Sequence, residues 1–261
     1  MRCYNLWNYL FPKKEKNKTK TKHYVIGDVH GHYQTLLALV DKLPSNAKLI
    51  FVGDLIDRGS ESKEVVKFVR EGNHLCVMGN HEEMLIEIFP DIVNAYEENI
   101  DFKYYLNIFN KGLLNTYLSY GVIKLVEGKP HKVDNFKKAL ELLNDDLDWM
   151  KKLPICLELD TKHRSQKPVV VSHASLGEFW KFRNVLSQKE AFKTNALWNR
   201  KNPSSFIPIF NIFGHTTVAY GVEVKPHYVN VDTGCFSSSL GYGRLSAYCV
   251  ETEEVVFVSS C

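Results

Sequence analysis

Five short segments of the chain each set a carboxylate, imidazole or amide side chain directly after a glycine or a serine. They read GDVH, GDLIDR, GNHE, SH and GH, and they begin at residues 27, 53, 79, 172 and 214. Carboxylate, imidazole and amide ligands without thiolates suit manganese, iron or zinc. The donors are numerous enough for two ions that share one bridging carboxylate. Such a pair favours hydrolysis at phosphorus, because it deprotonates the water between the ions and holds the oxygens of an in-line displacement.

Strands alternating with helices would position these segments. Short apolar runs at 24–26, 48–52 and 74–78 precede the first three segments, and helically spaced apolar residues separate them. This rhythm predicts a parallel sheet, with the second helix capped by Ser60 and ending before Gly72. Ligands bind at the carboxyl ends of strands in such sheets, so we expect the five segments to converge. We also expect the preceding glycines to let the backbone turn sharply toward the site.

The rest of the chain differs from this first part. Residues 90–153 are rich in Asn, Tyr, Leu and Lys at helical spacing, which predicts a helical insert. From residue 155 onward, apolar runs such as PVVVSH and HYVNV predict strands that are antiparallel in part. We predict one folded domain over residues 23–261, preceded by a basic flexible tail over residues 1–22. The predicted fold class is α/β, with two mixed β-sheets packed as a sandwich and flanked by helices.

Taken singly, each segment has a structural explanation, such as a turn, a helix cap or a core histidine. The ordered set GDVHG, GDLIDRG, GNHEE, SHAS and FGHT is more specific. It resembles the signature of the phosphoprotein phosphatase branch of the calcineurin-like metallophosphoesterases, which includes bacterial and phage serine/threonine protein phosphatases and diadenosine tetraphosphatases. The resemblance covers about residues 23–250 and extends to LWNR and VDTGCF. It implies a metallophosphoesterase catalytic domain that holds two divalent metal ions. Manganese is the expected metal, with iron or zinc as alternatives.

The resemblance also implies which residues hold the metals. Asp54 would bind both ions. The two donors of the first segment would also bind the first ion, and the donors of the last three segments would bind the second. In chain order the six expected ligands are Asp28, His30, Asp54, Asn80, His173 and His215.

Four further residues would act on the phosphate. Arg58 and Arg200 would grip it, since a guanidinium fork matches its oxygens. His81 would donate a proton to the leaving oxygen, and Asp57 would orient the His81 ring. An anion beside an imidazole favours the protonated acid form, so this pairing is chemically sensible.

The expected reaction is hydrolysis of phosphomonoesters by direct attack of a metal-bridging hydroxide. The leading expected substrate is phosphoserine or phosphothreonine in proteins, because the spacing of Arg200 in LWNR resembles the protein phosphatases. The alternative is a symmetrical dinucleoside polyphosphate hydrolase acting on diadenosine tetraphosphate. A phosphate-binding scaffold without turnover is disfavoured, because no expected ligand or proton donor is missing. One departure bears on the substrate: Ser175 stands where the family usually has glycine, and its side chain is expected to narrow or re-aim the pocket.

Composition and charge exclude several other classes. The chain has 261 residues and 44% hydrophobic content, enough for a substantial core. The net charge is +3, but residues 1–22 carry +6 of it, so the body is mildly acidic and no nucleic-acid partner is expected. Six scattered cysteines without a CxxC pair indicate a reducing, cytoplasmic compartment. A solvated leader is the favoured interpretation of the tail, and membrane contact through its apolar residues is the alternative.

Overall fold

The computed structural model describes residues 21–100 and 112–261. Most of the predicted tail, residues 1–20, lies outside the described residues, and so do residues 101–111 of the predicted insert. Within the described ranges, no helix is long and apolar enough to cross a membrane.

Two five-stranded mixed sheets form the body of the described fold, and a separate two-stranded hairpin lies in the insert. The strands are His23–Ile26 (β1), Lys48–Phe51 (β2), Leu75–Cys76 (β3), Ile123–Val126 (β4), Lys129–Lys132 (β5), Cys156–Lys162 (β6), Pro168–Ser172 (β7), Phe210–Phe213 (β8), Glu223–Lys225 (β9), Tyr228–Asn230 (β10), Arg244–Cys249 (β11) and Val255–Ser259 (β12).

The order of the first sheet is β12-β11-β1-β2-β3. Here β1, β2 and β3 are parallel, β11 is antiparallel to β1, and β12 is antiparallel to β11. The order of the second sheet is β6-β7-β8-β10-β9, with β7, β8 and β10 parallel and the two edge strands antiparallel. The carboxyl ends of the parallel strands in each sheet therefore share one edge.

Helices cover the outer faces of the two sheets. The α-helices of the described residues are Tyr33–Val40 (α1), Ser62–Glu71 (α2), Asn80–Glu97 (α3), Leu114–Ser119 (α4), Phe136–Met150 (α5) and Lys189–Trp198 (α6). Helix α2 shows why these segments are helical. Its valines at 65, 66 and 69 are buried on one face, and Gly72 follows its last residue.

Alternating side chains of the central strands divide the core into three layers. In β1, Val25 packs between the two sheets, whereas Tyr24 and Ile26 pack under the helices of the first sheet. In β7, Val171 faces the first sheet and Val170 faces the helices over the second sheet. This period of two is what a strand buried on both faces requires. The predicted α/β sandwich of two mixed sheets flanked by helices is confirmed.

Two local predictions differ from the structure. The N-cap position of α2 is occupied by Glu61 and not by Ser60. The insert contains the hairpin of β4 and β5, which its helical spacing did not predict. Helix α3 runs through Pro90 into the predicted insert. The hairpin is short and carries polar residues, so its strands lack the apolar alternation on which strand prediction depends.

The two sheets approach each other closely at Gly27, directly after β1. A Cβ atom at this residue would lie 2.4 Å from the carbonyl oxygen of Val231, which directly follows β10. Because the obstructing atom is backbone, no side-chain rotation could relieve the clash. Glycine is therefore required where the first sheet meets the second, one residue before the first predicted metal ligand.

We predict that Gly27→Ala lowers the free energy of unfolding by about 2–4 kcal/mol, since overpacking of a closed contact costs energy of this order. The control is Gly128→Ala in the β4–β5 turn. That glycine has φ +74° and an added Cβ would meet no atom within 4 Å, so its substitution should cost only about 1 kcal/mol of backbone strain. Urea denaturation measures both. Equal costs for the two variants would contradict the close contact at Gly27.

Candidate metal centre and active site

The shared edge of the two sheets brings the predicted metal ligands together. Polar atoms of His30 and Asp54 lie within 4.8 Å of each other and of His81, the predicted proton donor. Asp54, His173 and His215 form a second group within the same limit. Asp54 belongs to both groups, which is the position expected of a bridging carboxylate. The predicted ligands follow β1, β2, β3, β7 and β8, and all of them are buried: Asp28, His30, Asp54, Asn80, His173 and His215.

On the side of the second sheet, two imidazoles and an amide oxygen face one another. The His173 Nδ1–H donates to the carbonyl oxygen of Val52 at 2.9 Å, so its Nε2 carries a lone pair. This Nε2 lies 2.8 Å from Asn80 Oδ1 and 3.1 Å from His215 Nδ1. The distance from His215 Nδ1 to Asn80 Oδ1 is 2.9 Å. An amide oxygen has no proton to give, so these three atoms share at most one proton when the imidazoles are neutral.

On the side of the first sheet, His30 is supported in the same way. Its Nδ1–H donates to the carbonyl oxygen of Ile56 at 2.8 Å, and its Nε2 lies 3.5 Å from Asp54 Oδ2. A backbone carbonyl on the second ring nitrogen is the usual support of a metal-binding histidine. The Asp28 carboxylate accepts the backbone N–H of His215 at 3.1 Å, which ties the two sheets together at the site.

Burial keeps the three imidazoles of this centre neutral. It lowers the pKa of His30 to about 3 and that of His215 to about 3, and it also lowers the pKa of His173. The Nε2 atom of His215 is moreover buried with no hydrogen-bond partner among the described residues. Neutral imidazoles with free lone pairs are the form in which histidine binds metals.

The carboxylates of the site are crowded together. Burial, together with the charges of Asp232 and Asp54, holds the pKa of Asp28 well above its ordinary value. Burial likewise raises the pKa of Asp232 to about 7. Anions gathered in a buried place need a cation to remain ionised. The donor set of this structure therefore fits bound divalent cations.

His81 differs from the other three histidines because its surroundings favour protonation of both ring nitrogens. Its Nδ1 donates to Asp57 Oδ2 at 2.5 Å, and its Nε2 lies 3.9 Å from Asp54 Oδ2. Burial acts to lower the pKa of His81, but the charges of Asp54 and Asp57 outweigh burial and raise the pKa to about 9. The two carboxylates therefore favour the imidazolium form of His81 in the metal-free site, and this form can supply a proton, whereas its neighbours supply lone pairs.

A groove with a volume of about 620 Å³ opens over the site. The Arg58 guanidinium lies 3.8 Å over the ring of Phe236, and Arg200 Nη1 donates to the His215 carbonyl oxygen at 3.4 Å. Two guanidinium groups beside a buried metal centre suit a phosphate group. The groove is lined by Arg58, Asn80, His81, Met84, Gly112, Trp198 and Arg200.

Much of the site is built on left-handed backbone. This conformation costs a non-glycine residue on the order of 1–3 kcal/mol, so it persists only where surrounding contacts enforce it. Such strain clusters at functional sites. The site residues in this conformation are His30 (φ 48°), Asp54 (φ 48°), Asp57 (φ 73°), Arg58 (φ 66°) and His215 (φ 65°).

A family model described as calcineurin-like phosphoesterase matches residues 21–219 of this chain. The chain belongs to the calcineurin-like phosphoesterases. The match contains all ten residues predicted for the site. Eight of them line the groove or belong to the two groups around Asp54, while Asp57 is hydrogen-bonded to His81 and Asp28 to the backbone of His215.

The relatives of this phosphoesterase carry two different activities in their names. A symmetrical bis(5'-nucleosyl)-tetraphosphatase of Enterobacter sp. (strain 638) is 30% identical over 247 residues, covering 88% of this chain and 70% of that protein. Serine/threonine-protein phosphatase 2 of Escherichia coli (strain K12) is 40% identical over 85 residues, covering 30% of this chain and 39% of that protein. A solved structure named as a diadenosine tetraphosphatase superposes with a TM-score of 0.56 at 18% identity, covering 94% of this chain and 96% of that chain. This last likeness supports the fold alone.

The glycines of the phosphoesterase motifs serve close packing more than turning. Of the four that precede the ligands, only Gly53 has a positive φ, at +92°. A Cβ at Gly214 would lie 2.1 Å from Asp28 Oδ1, and a Cβ at Gly79 would lie 2.3 Å from the Asp54 backbone nitrogen. At the other three, glycine is needed because the motifs of different strands touch each other.

The structure also bears on the departure from the family pattern at Ser175. Its side chain is buried, and its hydroxyl has no hydrogen-bond partner among the described residues. The side-chain amide of Asn199 donates to the Ser175 carbonyl oxygen at 2.8 Å. The serine side chain thus points into the protein and does not narrow the open groove.

Sequence reasoning assigned no role to Glu82, although it lies inside the third motif. Its Oε2 accepts the backbone N–H groups of Asp54 and Gly79, both at 2.9 Å, and its Oε1 accepts that of Leu55 at 2.8 Å. Glu82 therefore joins the loop after β2 to the loop after β3 and holds the Asp54 backbone in place. The available signal was its position at the third residue of α3, where a capping glutamate is expected.

A second missed residue is Asp232, in the segment VDTG. It is buried, and it is close enough to Asp28 to raise the pKa of that carboxyl. Its own Oδ1 accepts the Gly234 backbone N–H at 2.9 Å. The segment was noted only as part of the family resemblance, and nothing in its spacing distinguished a site carboxylate from a turn.

We predict that Glu82→Ala lowers the free energy of unfolding by about 3 kcal/mol or more, because it strands three buried backbone donors at once. It should also weaken metal binding, since Asp54 would lose its support. Glu97→Ala, an exposed glutamate at the end of the same helix, is the matched control and should change stability by less than about 0.5 kcal/mol. Denaturant unfolding and metal titration of both variants provide the comparison. Normal stability and metal affinity of Glu82→Ala would rule out this role.

Proposed function

We propose that this chain is a two-metal phosphoesterase that hydrolyses dinucleoside tetraphosphates. The observation that carries the catalytic part is the meeting of neutral imidazoles and crowded carboxylates around Asp54, beside a protonated His81. Lone pairs for cations and a proton for a leaving group are thereby placed in one groove, under two arginines. This combination suits hydrolysis of a phosphate ester or anhydride.

In this proposal the metals are held by the six predicted ligands. Asp54 would contact both ions. The donors after β1 would bind one ion, and the donors after β3, β7 and β8 would bind the other. Mn²⁺ is the proposed metal, with iron or zinc as alternatives, because carboxylate, imidazole and amide donors suit all three. When bound, such ions lower the pKa of water and withdraw charge from phosphate oxygens.

The side chains around the metals bind phosphate and move the proton. Arg58 and Arg200 orient the phosphate oxygens from the two sides of the groove. Phe236 holds the Arg58 guanidinium by stacking against it, which restricts its orientation. His81 gives the proton on Nε2 to the leaving oxygen, and Asp57 keeps that nitrogen directed into the site by accepting from Nδ1. The raised pKa of His81 favours the protonated form that this step needs.

Two observations favour a dinucleotide as the substrate. The symmetrical tetraphosphatase relative aligns over 88% of this chain, whereas the protein phosphatase relative aligns over 30% of it. The groove also offers an aromatic wall, since Trp198 is 41% exposed and lies beside both arginines. Its indole N–H donates to Glu83 Oε2 at 3.0 Å, and Lys193 holds the other oxygen of Glu83 at 2.7 Å. A ring fixed in this way can stack on a nucleobase.

The second candidate is hydrolysis of phosphoserine or phosphothreonine in proteins. It is favoured by the local match to the Escherichia coli protein phosphatase, which is 40% identical. The initial preference for protein substrates rested on the spacing of Arg200 in LWNR. The relative that aligns over most of the chain carries the tetraphosphatase name instead.

The substrate is tested by comparing kcat/KM for diadenosine tetraphosphate and for a phosphoserine peptide, with added Mn²⁺. We expect the higher value for the dinucleotide, with ADP as the only nucleotide product because symmetrical cleavage yields two identical halves. Chelation of the metal should abolish turnover of both. A higher kcat/KM for the peptide would overturn the dinucleotide proposal while leaving the metal-dependent mechanism in place.

Trp198→Leu, made in the same assay, examines the proposed nucleobase contact. Stacking contributes about 1–3 kcal/mol per base, so KM for the dinucleotide should rise roughly 5- to 100-fold. KM for p-nitrophenyl phosphate should change less than about twofold. Phe206→Leu is the control, since Phe206 is 94% exposed and lies outside the lining of the groove.

A further inference from the structure

Asp57, the residue proposed to orient His81, is itself held by a side chain of the insert. The Thr116 hydroxyl, on α4, donates to Asp57 Oδ1, and its oxygen accepts the Asp57 backbone N–H at 3.0 Å. The other carboxylate oxygen of Asp57 accepts from His81 Nδ1. Asp57 and Thr116 are both fully buried. The carboxylate is thus fixed at its two oxygens, by His81 on one side and by Thr116 on the other.

Neighbours of Thr116 hold the loop that carries Asp57. The side-chain amide of Asn115 donates to the Arg58 carbonyl oxygen, and the Gly112 carbonyl oxygen accepts the Arg58 backbone N–H at 3.4 Å. Asp57 and Arg58 both have left-handed backbone, with φ of 73° and 66°. Such a loop needs support from elsewhere. That support comes from a segment 59 residues further along the chain.

A backbone role and an orienting role of Thr116 can be separated. The hydroxyl of Ser62 also accepts the Asp57 backbone N–H, at 3.0 Å. Removing the Thr116 hydroxyl would leave that N–H with Ser62 as its acceptor. The same removal would take away the donor to Asp57 Oδ1. The effect of losing the hydroxyl therefore falls on the direction of the carboxylate and, through it, on the His81 ring.

We propose that Thr116 is a positioning residue for proton donation, which fixes Asp57 so that the Nε2–H of His81 stays directed at the leaving oxygen. The proposal rests on the proposed role of His81. In that step the proton passes from His81 to the leaving oxygen as the bond between this oxygen and phosphorus breaks. Thr116 does not touch the substrate and gives up no proton. The insert would then serve the chemistry as well as the shape of the groove.

The test compares Thr116→Val on two aryl phosphates that differ in their need for an acid. Phenyl phosphate has a poor leaving group that needs a proton. The leaving group of 2,4-dinitrophenyl phosphate is a stable anion and departs without protonation. We expect kcat on phenyl phosphate to fall about tenfold and kcat on the dinitrophenyl ester to stay within about twofold, since acid catalysis is worth 10²–10⁴ and only part of it would be lost. Thr116→Ser, which keeps the hydroxyl, should restore the phenyl phosphate rate.

Thr35→Val is the matched control. Thr35 is also buried, and its hydroxyl oxygen accepts the Cys261 backbone N–H at 3.1 Å, away from the groove. Both rates should be unchanged in this variant. If Thr116→Val lowers kcat equally on both esters, Thr116 has only a structural role and the proposal is overturned. An unchanged kcat on both esters would overturn it as well. Should Thr116→Val fail to fold, Thr116→Cys, with a weak thiol donor, should show the same selective loss.

The variant His81→Asn tests the proposed proton donation by His81 separately from the proposed role of Thr116. Its rate on phenyl phosphate should fall about a hundredfold or more, with a much smaller fall on the dinitrophenyl ester. Adding Thr116→Val to His81→Asn should then lower the phenyl phosphate rate by no more than about twofold, because the two residues act as one unit. If His81→Asn lowers both rates equally, the proposed role of His81 fails. If His81→Asn is selective and Thr116→Val is not, only the inference about Thr116 fails.

Discussion

The rest of this structure depends on one constraint: ring nitrogens and an amide oxygen are held close together in a buried site, where their lone pairs face one another. Neutral His173 and His215 direct ring nitrogens at the oxygen of Asn80, and at most one proton is available between the three atoms. Close by, burial and neighbouring carboxylates raise the pKa of Asp28. Without a cation, such an arrangement is unfavourable in a low dielectric. Divalent ions offset both the lone-pair contacts and the crowding of carboxylates, so the centre makes physical sense as a place for metals.

Holding these donors together requires contacts that reach well beyond the donors themselves. The loops after β1, β2 and β8 adopt left-handed backbone, and each is fixed by neighbours from another strand or from the insert. Glu82 binds the loops after β2 and β3 to each other through three backbone donors. Thr116 joins the insert to the loop after β2, because its hydroxyl accepts the Asp57 backbone N–H and donates to the Asp57 carboxylate. Buried polar contacts between distant segments therefore help to set the positions of the predicted site residues.

Sequence patterns predicted the sheets and the placement of the reactive residues well, because these depend on strong local signals. An apolar run followed by glycine and a polar donor marks a strand end, and strand ends of a parallel sheet share an edge. Contacts between distant segments left no such signal. The close approach of Gly214 to Asp28 and the support of Asp57 by Thr116 join residues that are far apart in the chain. The hairpin of the insert was missed for a different reason, because its short polar strands lack apolar alternation.

The most direct test of the account is the metal content of the purified chain, measured by inductively coupled plasma mass spectrometry after loading with Mn²⁺ and desalting. We predict about two ions per chain, because Asp54 lies between His30 on one side and His173 with His215 on the other. Asp54→Asn should lose most of both, whereas Asn80→Ala should lose about one. A chain that retains no metal, and still hydrolyses phosphate esters in the presence of a chelator, would contradict the central claim.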